Sequence, residues 1–98
     1  MTIEQKKDGS KLTVELAGRL DTTTAPQLEA ALRTATDGLT ELVLDLKDLE
    51  YISSAGLRVL LSAQKVMNKQ GSMVIVNANE NLMEIFDVTV FTDILTIQ

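Results

Sequence analysis

The chain has 98 residues, of which 45% are hydrophobic, 3% aromatic and 23% charged. This length and composition predict one domain over residues 1–98, with a core of aliphatic side chains. The formal net charge of −5 argues against nucleic acid and anionic membranes as partners. No apolar run is long enough for a transmembrane helix, so we expect no membrane partner.

The missing residue types exclude much chemistry. Without cysteine there is no disulfide or thiolate site, and without histidine no Ser-His-Asp triad can form. The same absences argue against zinc and iron, and no glycine-rich phosphate loop is present. We therefore expect no metal site, no cofactor and no intrinsic catalysis. Residues 1–5 lack the features of a signal peptide. The absence of cysteine fits a cytoplasmic protein.

The first third of the chain predicts a hairpin followed by a helix. Residues 2–7 suit a weak edge strand, Asp8-Gly9 a hairpin turn, and residues 11–17 an alternating, half-solvated strand. A loop over residues 18–24 then leads to a helix over about 25–36, with capping-box spacing between Thr24 and Gln27. Asp37-Gly38 ends this helix.

The pattern changes from strand to helix in the middle of the chain. Residues 41–46 alternate as a strand, whereas the apolar residues from Leu57 onward follow a helical repeat, which predicts a helix over about 54–69. Most of this second helix, Val66 included, is predicted to be buried. Its exposed strip is predicted to hold Arg58, Ser62, Lys65 and Lys69.

Ser53 and Ser54 stand at the junction between that strand and that helix. Small hydroxyl residues are preferred helix N-caps, so the simplest interpretation of either serine is a cap. Ser53 as the cap would leave Ser54 in the first helical turn. Gly56 costs about 1 kcal/mol relative to alanine inside a helix. Close approach by neighbouring backbone or by a partner would explain why glycine occupies this position.

The remaining elements complete an α/β pattern. The apolar run at residues 73–76 predicts a central strand buried on both faces. Asn79 is predicted to cap a short helix with Leu82, Ile85 and Phe86 on one face. Residues 94–97 suggest a last strand or an apolar tail. The order β-β-α-β-α-β-α-(β) predicts a mixed, mostly parallel sheet with helices packed against it.

Two motifs in this chain resemble those of STAS domains, the family of the bacterial anti-sigma factor antagonists. Residues 51–60, YISSAGLRVL, resemble the family signature of an aromatic, an aliphatic, Asp or Ser, Ser or Thr, a small residue, Gly and Leu. Residues 17–21, AGRLD, resemble the family's second motif of Gly-x-Leu/Ile-Asp after an early strand. The resemblance covers the whole chain in order and length.

The resemblance implies a fold and a function. It implies a single STAS domain that binds an anti-sigma factor with serine kinase activity and thereby releases a sigma factor. It places the phosphorylation site at Ser54, and phosphorylation there would block binding. A phosphoserine phosphatase would then reverse the modification. The best-studied members have Asp where this sequence has Ser53, which leaves Ser53 as an alternative target.

The predicted partner-binding surface joins the two motif loops. Because both loops leave strands on one side of the sheet, we expect them to lie together. The predicted surface contains Asp21, Thr22, Thr23, Ser53, Ser54, Ala55, Gly56 and Arg58. Asp21 has a structural alternative, since its side chain could order the Thr22–Thr24 turn through an Asx bond.

Two alternative functions remain open at this stage. A STAS module can serve another system, such as a lipid-transport complex or small-ligand sensing, because fold does not fix function. A small enzyme is the weaker alternative, since no nucleophile has a visible base.

Overall fold

The computed structural model describes residues 1–89 and 94–98. Its elements are β1 (Thr2–Asp8), β2 (Lys11–Leu20), α1 (Ala25–Ala35), β3 (Glu41–Ile52), α2 (Ser54–Gln70), β4 (Ser72–Val76) and α3 (Glu80–Val88). The strands form one sheet in the order β1-β2-β3-β4. Strands β1 and β2 are antiparallel, while β2–β3 and β3–β4 are parallel. The predicted α/β fold, with a mixed and mostly parallel sheet, is confirmed.

The first hairpin turns one residue later than predicted. Asp8 pairs with Lys11, so the loop consists of Gly9 and Ser10 rather than Asp8 and Gly9. Gly9 has φ +62, a left-handed conformation that glycine adopts without a steric penalty. The position of the glycine in the loop therefore fixes the turn.

Strands β2 and β3 both run beyond their predicted ends at residues 17 and 46. Shifts in register between them fall beside Ala17 and Gly18. Because each shift restores the alternation, the late residues Leu20, Leu49 and Ile52 remain in the core. The extension brings both strands directly to their motif loops.

The helices cover only one face of the sheet. In β2 and β3, buried residues such as Val14 and Leu44 alternate with half-buried ones such as Thr13 and Val43. Among residues 1–89 and 94–98 the core is a single aliphatic cluster, in which Phe86 of α3 is the only aromatic member. This arrangement leaves the opposite face of the sheet in contact with solvent.

Strand β4 is not a central strand buried on both faces, so that prediction is wrong. Met73 and Ile75 are buried, while Val74 and Val76 are only half-buried because none of the three described helices covers their face. Beyond β4, Ile97 forms a single parallel bridge to Ile75. Leu95 is buried nearby, so the predicted apolar tail packs against this edge of the sheet.

Helix α2 matches its predicted bounds closely. Its predicted exposed strip is confirmed, since Arg58, Ser62, Lys65 and Lys69 are all exposed. The burial of Val66 was predicted wrongly, because 43% of its surface is accessible. The Val66 side chain faces a surface groove between α1 and α2 rather than the core.

Candidate functional site

The two motif loops leave the same edge of the sheet. Leu20 and Ile52 are register partners at the carboxyl ends of the parallel strands β2 and β3. The Ser53 backbone N–H donates to the Leu20 carbonyl at 2.8 Å, which ties the loops together. The structure therefore confirms that Asp21 and Ser54 lie on one side of the sheet. Thr22, Ala55 and Arg58 share the lining of a groove of about 350 Å³ at this edge.

Asp21 organises the turn between β2 and α1. Its Oδ1 accepts hydrogen bonds from the backbone N–H groups of Thr23 at 3.0 Å and Thr24 at 3.1 Å. These bonds, led by that from Thr24, lower the pKa of the Asp21 carboxyl, and nearby Arg19 lowers it further. The predicted Asx bond is thus present. Thr22 and Thr23 project from this turn and are exposed.

The predicted capping box at Thr24 is wrong. Thr24 precedes α1 but makes no side-chain cap bond to it. Its hydroxyl donates instead to the Arg19 carbonyl at 2.8 Å and accepts from the Asp21 N–H at 2.9 Å. The Thr24 hydroxyl faces back toward β2, because the Asp21 carboxylate already accepts a hydrogen bond from the Thr24 backbone N–H.

Sequence reasoning missed an aromatic–cation pair beside Asp21. Arg19 and Tyr51 are register partners, and the Arg19 guanidinium carbon lies 4.4 Å from the centre of the Tyr51 ring. The Arg19 Nε is 3.9 Å from the Asp21 Oδ2. Both residues belong to the two motifs, but only the register of β2 on β3 brings them together. They extend the candidate site toward the open face of the sheet.

The two serines have different roles at the start of α2. Ser53 is the N-cap, with extended backbone and an Oγ that accepts from the Gly56 N–H at 3.3 Å. Ser54 is the first helical residue and is exposed. In the described part of the chain its hydroxyl has no hydrogen-bond partner. The Ser54 hydroxyl is therefore free to react or to contact a partner.

Ala55 and Gly56 form the surface next to Ser54. Ala55 is half-buried, whereas Gly56 is buried. A Cβ placed on Gly56 would lie 2.6 Å from Leu20 Cγ and 2.9 Å from Ile52 Cγ1. The close approach at Gly56 therefore comes from side chains of β2 and β3, whereas neighbouring backbone or a partner was expected.

Arg58 lies one helical turn after Ser54, on the exposed strip of α2. Among residues 1–89 and 94–98, the ion pairs are Lys6–Glu15, Arg19–Asp21 and Arg33–Glu29, so Arg58 is not engaged. The Arg58 guanidinium is thus available to an anion near the helix N-terminus.

Comparison with known families decides the class of protein. The family described as "Mlab, STAS domain" matches residues 3–96. The chain belongs to the STAS domain family. Its two motifs, which lie at the carboxyl ends of β2 and β3, are the features by which the sequence resembled that family.

Individual relatives agree with this assignment. The "Anti-sigma-B factor antagonist" of Bacillus subtilis (strain 168) is 33% identical over 98 residues, covering 99% of this chain and 90% of that protein. A solved anti-sigma factor antagonist from Mycobacterium paratuberculosis has a TM-score of 0.88 at 24% identity, covering 98% of this chain and 83% of that one. The phosphorylated form of the Bacillus cell fate determinant SpoIIAA has a TM-score of 0.77 at 16% identity, covering 99% and 91%. Both solved structures share the fold of this chain.

Two further observations concern metal ligands and helix length. Within residues 1–89 and 94–98, no three Asp or Glu side chains are grouped so that they could hold a metal ion. Of the helices in this part of the chain, none is both long and apolar enough to span a bilayer. What the site offers is a free hydroxyl at a helix start, a rigid acidic turn and a nearby guanidinium.

Proposed function

We propose that this protein is an anti-sigma factor antagonist, a binding protein rather than an enzyme, that acts in the cytoplasm. The observation that carries the proposal is the exposed Ser54 hydroxyl at the start of α2, beside the Asp21 turn. The name of the Bacillus subtilis relative, which covers nearly the whole chain, supports the same function. In its unphosphorylated form the chain binds an anti-sigma factor and frees a sigma factor.

Ser54, rather than Ser53, is the proposed phosphorylation site. The Ser53 hydroxyl is engaged as the N-cap through the Gly56 N–H, whereas the Ser54 hydroxyl points from an exposed first turn. A kinase needs a hydroxyl that is accessible and not already committed to the fold. The anti-sigma factor itself would supply this kinase activity, and a separate phosphoserine phosphatase would restore the binding form.

The proposed binding surface comprises the Asp21 turn and the first turn of α2. Thr22, Thr23 and Ala55 present side chains there, and Asp21 holds the turn in shape. Gly56 keeps the start of α2, with Ser54 and Ala55, close to β2 and β3. A partner can then pack closely against both loops, with Arg58 at the margin.

The proposal is tested by using the chain as bait in its native lysate. Wild type should retain an anti-sigma factor with serine kinase activity, and Ser54→Asp should lose it. The matched control is Ser72→Asp, which adds the same charge at the opposite end of the sheet and should bind normally. The retained protein with ATP should phosphorylate wild type at Ser54 and leave Ser54→Ala unmodified.

Other outcomes would favour a different function. Retention of transporter subunits, with no effect of Ser54→Asp, would point to the STAS module of a lipid-transport complex. A small molecule that binds the wild type and Ser54→Asp equally would point to ligand sensing. Either result contradicts the proposed switch.

A further inference from the structure

Helix α2 is a basic element in an acidic protein. Residues 54–70 contain Arg58, Lys65 and Lys69 but no Asp or Glu, so α2 carries +3 while the rest of the chain carries −8. The three cations and Ser62 fall on one exposed face of the helix, which we call the cationic strip. The strip begins one turn after Ser54 and runs the length of α2.

A groove between α1 and α2 lies beside the cationic strip. It consists of two adjoining hollows of about 350 and 250 Å³ that share Glu29, Val59 and Ser62 in their lining. The first hollow begins at Thr22 and Ala55, and the second reaches Val66. This α1–α2 groove is therefore continuous with the candidate site, and it extends that site along the helix.

The charge around the groove is set by α2. On the α1 side, Arg33 and Glu29 neutralise each other through a contact of 2.7 Å. The groove itself is lined both by apolar side chains, among them Leu32, Val59 and the exposed Val66, and by polar ones such as Thr36 and Ser62. The surface is thus a partly apolar channel with a positive rim on one side.

We propose that the anti-sigma factor docks an acidic amphipathic helix into the α1–α2 groove, with its carboxylates on the cationic strip. This proposal rests on the proposed function and identifies the chemistry of the partner's contact. The α2 residues that line the groove run from Ala55 to Val66, a length of about 16 Å at a helical rise of about 1.5 Å per residue. This length matches about three turns of a docked helix. Complementary charge would steer the encounter and fix the orientation of the helix.

A concave channel favours a protein helix over a lipid surface. A flat bilayer would touch the strip but would not reach the apolar floor between α1 and α2. A second copy of this chain is a poor occupant, because its acidic helix α3, with Glu80, Glu84 and Asp87, already buries its own Leu82 and Phe86 in the core. Both alternatives are outcomes of the test below.

The location of the strip also supplies a way to regulate docking. A phosphate on Ser54 carries about −1.5 to −2 charge, which would cancel half or more of the positive charge of α2. It would sit one turn from Arg58 and pair with the guanidinium that would otherwise meet a partner carboxylate. Phosphorylation would thus remove the strip's leading cation from the interface.

The test uses the purified anti-sigma factor retained by wild-type bait. A zero-length carbodiimide cross-linker should join Lys65 or Lys69 to Asp or Glu residues within one helix of that protein. The variant Lys65→Glu/Lys69→Glu should bind about 10- to 100-fold more weakly, with a reduced dependence of affinity on salt. The matched control Lys7→Glu/Lys47→Glu makes the same change of charge on the strands and should stay within about threefold of wild type. Circular dichroism should report folded protein for both variants.

Other results would overturn the inference. Normal affinity of Lys65→Glu/Lys69→Glu, or cross-links confined to Lys6, Lys7, Lys11 and Lys47, would exclude the groove while leaving the proposed function intact. Co-sedimentation with phosphatidylglycerol vesicles that the double variant abolishes would assign the strip to a membrane instead. A concentration-dependent dimer lost in the same variant would assign it to a second copy. Failure of wild-type bait to retain any anti-sigma factor would instead defeat the proposed function itself.

Discussion

Gly56 shows how a single missing methyl group positions the candidate site. Glycine is a poor helix former, yet this one lies in the first turns of α2 and is buried. The side chains of Leu20 and Ile52 occupy the space that a Cβ would take. The glycine therefore lets the start of α2 approach the ends of β2 and β3, which brings the two motif loops into one surface.

We expect Gly56→Ala to destabilise the domain despite the better helix propensity of alanine. Propensity favours alanine by about 1 kcal/mol, while overpacking a full core costs about 1–3 kcal/mol. The difference predicts that the free energy of unfolding falls by up to about 2 kcal/mol in urea titrations. Ser62→Ala, on the exposed face of the same helix, serves as control and should change stability little. A stabilised Gly56→Ala protein would mean that Leu20 and Ile52 yield without strain.

Asp21 makes the stability of the β2–α1 turn depend on pH. Its carboxyl has a lowered pKa in the folded state, chiefly because the Thr24 backbone N–H donates to it. A carboxyl with a lowered folded pKa stabilises the protein above its unfolded pKa, and that stability disappears as pH falls through the folded value. The Asp21 carboxylate should therefore stabilise the fold at neutral pH and contribute no stability in strong acid.

We expect Asp21→Ala to lower the melting temperature at pH 7 and to match wild type more closely at pH 3. Thermal melts across that range measure the difference. Asp37→Ala, at the exposed end of α1, is the matched control for the loss of one carboxylate. An equal loss of stability for Asp21→Ala at both pH values would show that the charge of Asp21 plays no part in holding the turn.

At the scale of the element, the two serines at the start of α2 differ, since one hydroxyl caps the helix and the other is free. Ser53 caps the helix and Ser54 does not, although the sequence alone left the two roles interchangeable. We expect Ser53→Ala to lower the free energy of unfolding by about 1 kcal/mol, the usual loss for an N-cap. Ser54→Ala is the natural control and should lie within about 0.5 kcal/mol of wild type. Equal effects in urea titrations would contradict the division of roles.

The sheet shows why the lengths of β2 and β3 were harder to predict than their existence. Alternating residues such as Leu42 and Leu44 mark the start of β3 clearly, but the pattern breaks at Lys47 and Asp48. The break is a shift of register rather than the end of the strand, since pairing with β2 continues to Ile52. The two-residue repeat of a sequence cannot reveal a bulge that is stabilised by pairing with the neighbouring strand.

At the scale of the whole molecule, sequence located the site but not all of its members. Asp21 and Ser54 were expected on one side because parallel neighbouring strands end at the same edge of a sheet, and they do. The Arg19–Tyr51 pair and the α1–α2 groove depend on register and on helix packing, which no short motif contains. The burial of β4 was misjudged for a similar reason, because its apolar run does not say that helices cover a single face.

The same whole-molecule view separates the stability of the isolated domain from its affinity for a partner. A phosphate on Ser54 meets free backbone N–H groups and the positive end of the α2 dipole, with Arg58 one turn away. In the isolated chain this is neutral or favourable by about 0.5–1 kcal/mol. At an interface the phosphate must lose water, and burying its charge without a matching cation costs several kcal/mol.

We therefore expect phosphorylation of Ser54 to abolish partner binding without unfolding the domain. Phosphoserine placed at position 54 should leave the melting temperature unchanged or slightly higher, while affinity for the anti-sigma factor falls more than about a hundredfold. Ser54→Ala should melt and bind like wild type, and phosphoserine at position 72 should leave affinity unchanged because it lies at the opposite end of the sheet. Calorimetry of both unfolding and binding separates the two effects. Unchanged affinity, or weaker binding that merely follows a collapse in melting temperature, would show that the phosphate does not act at the interface.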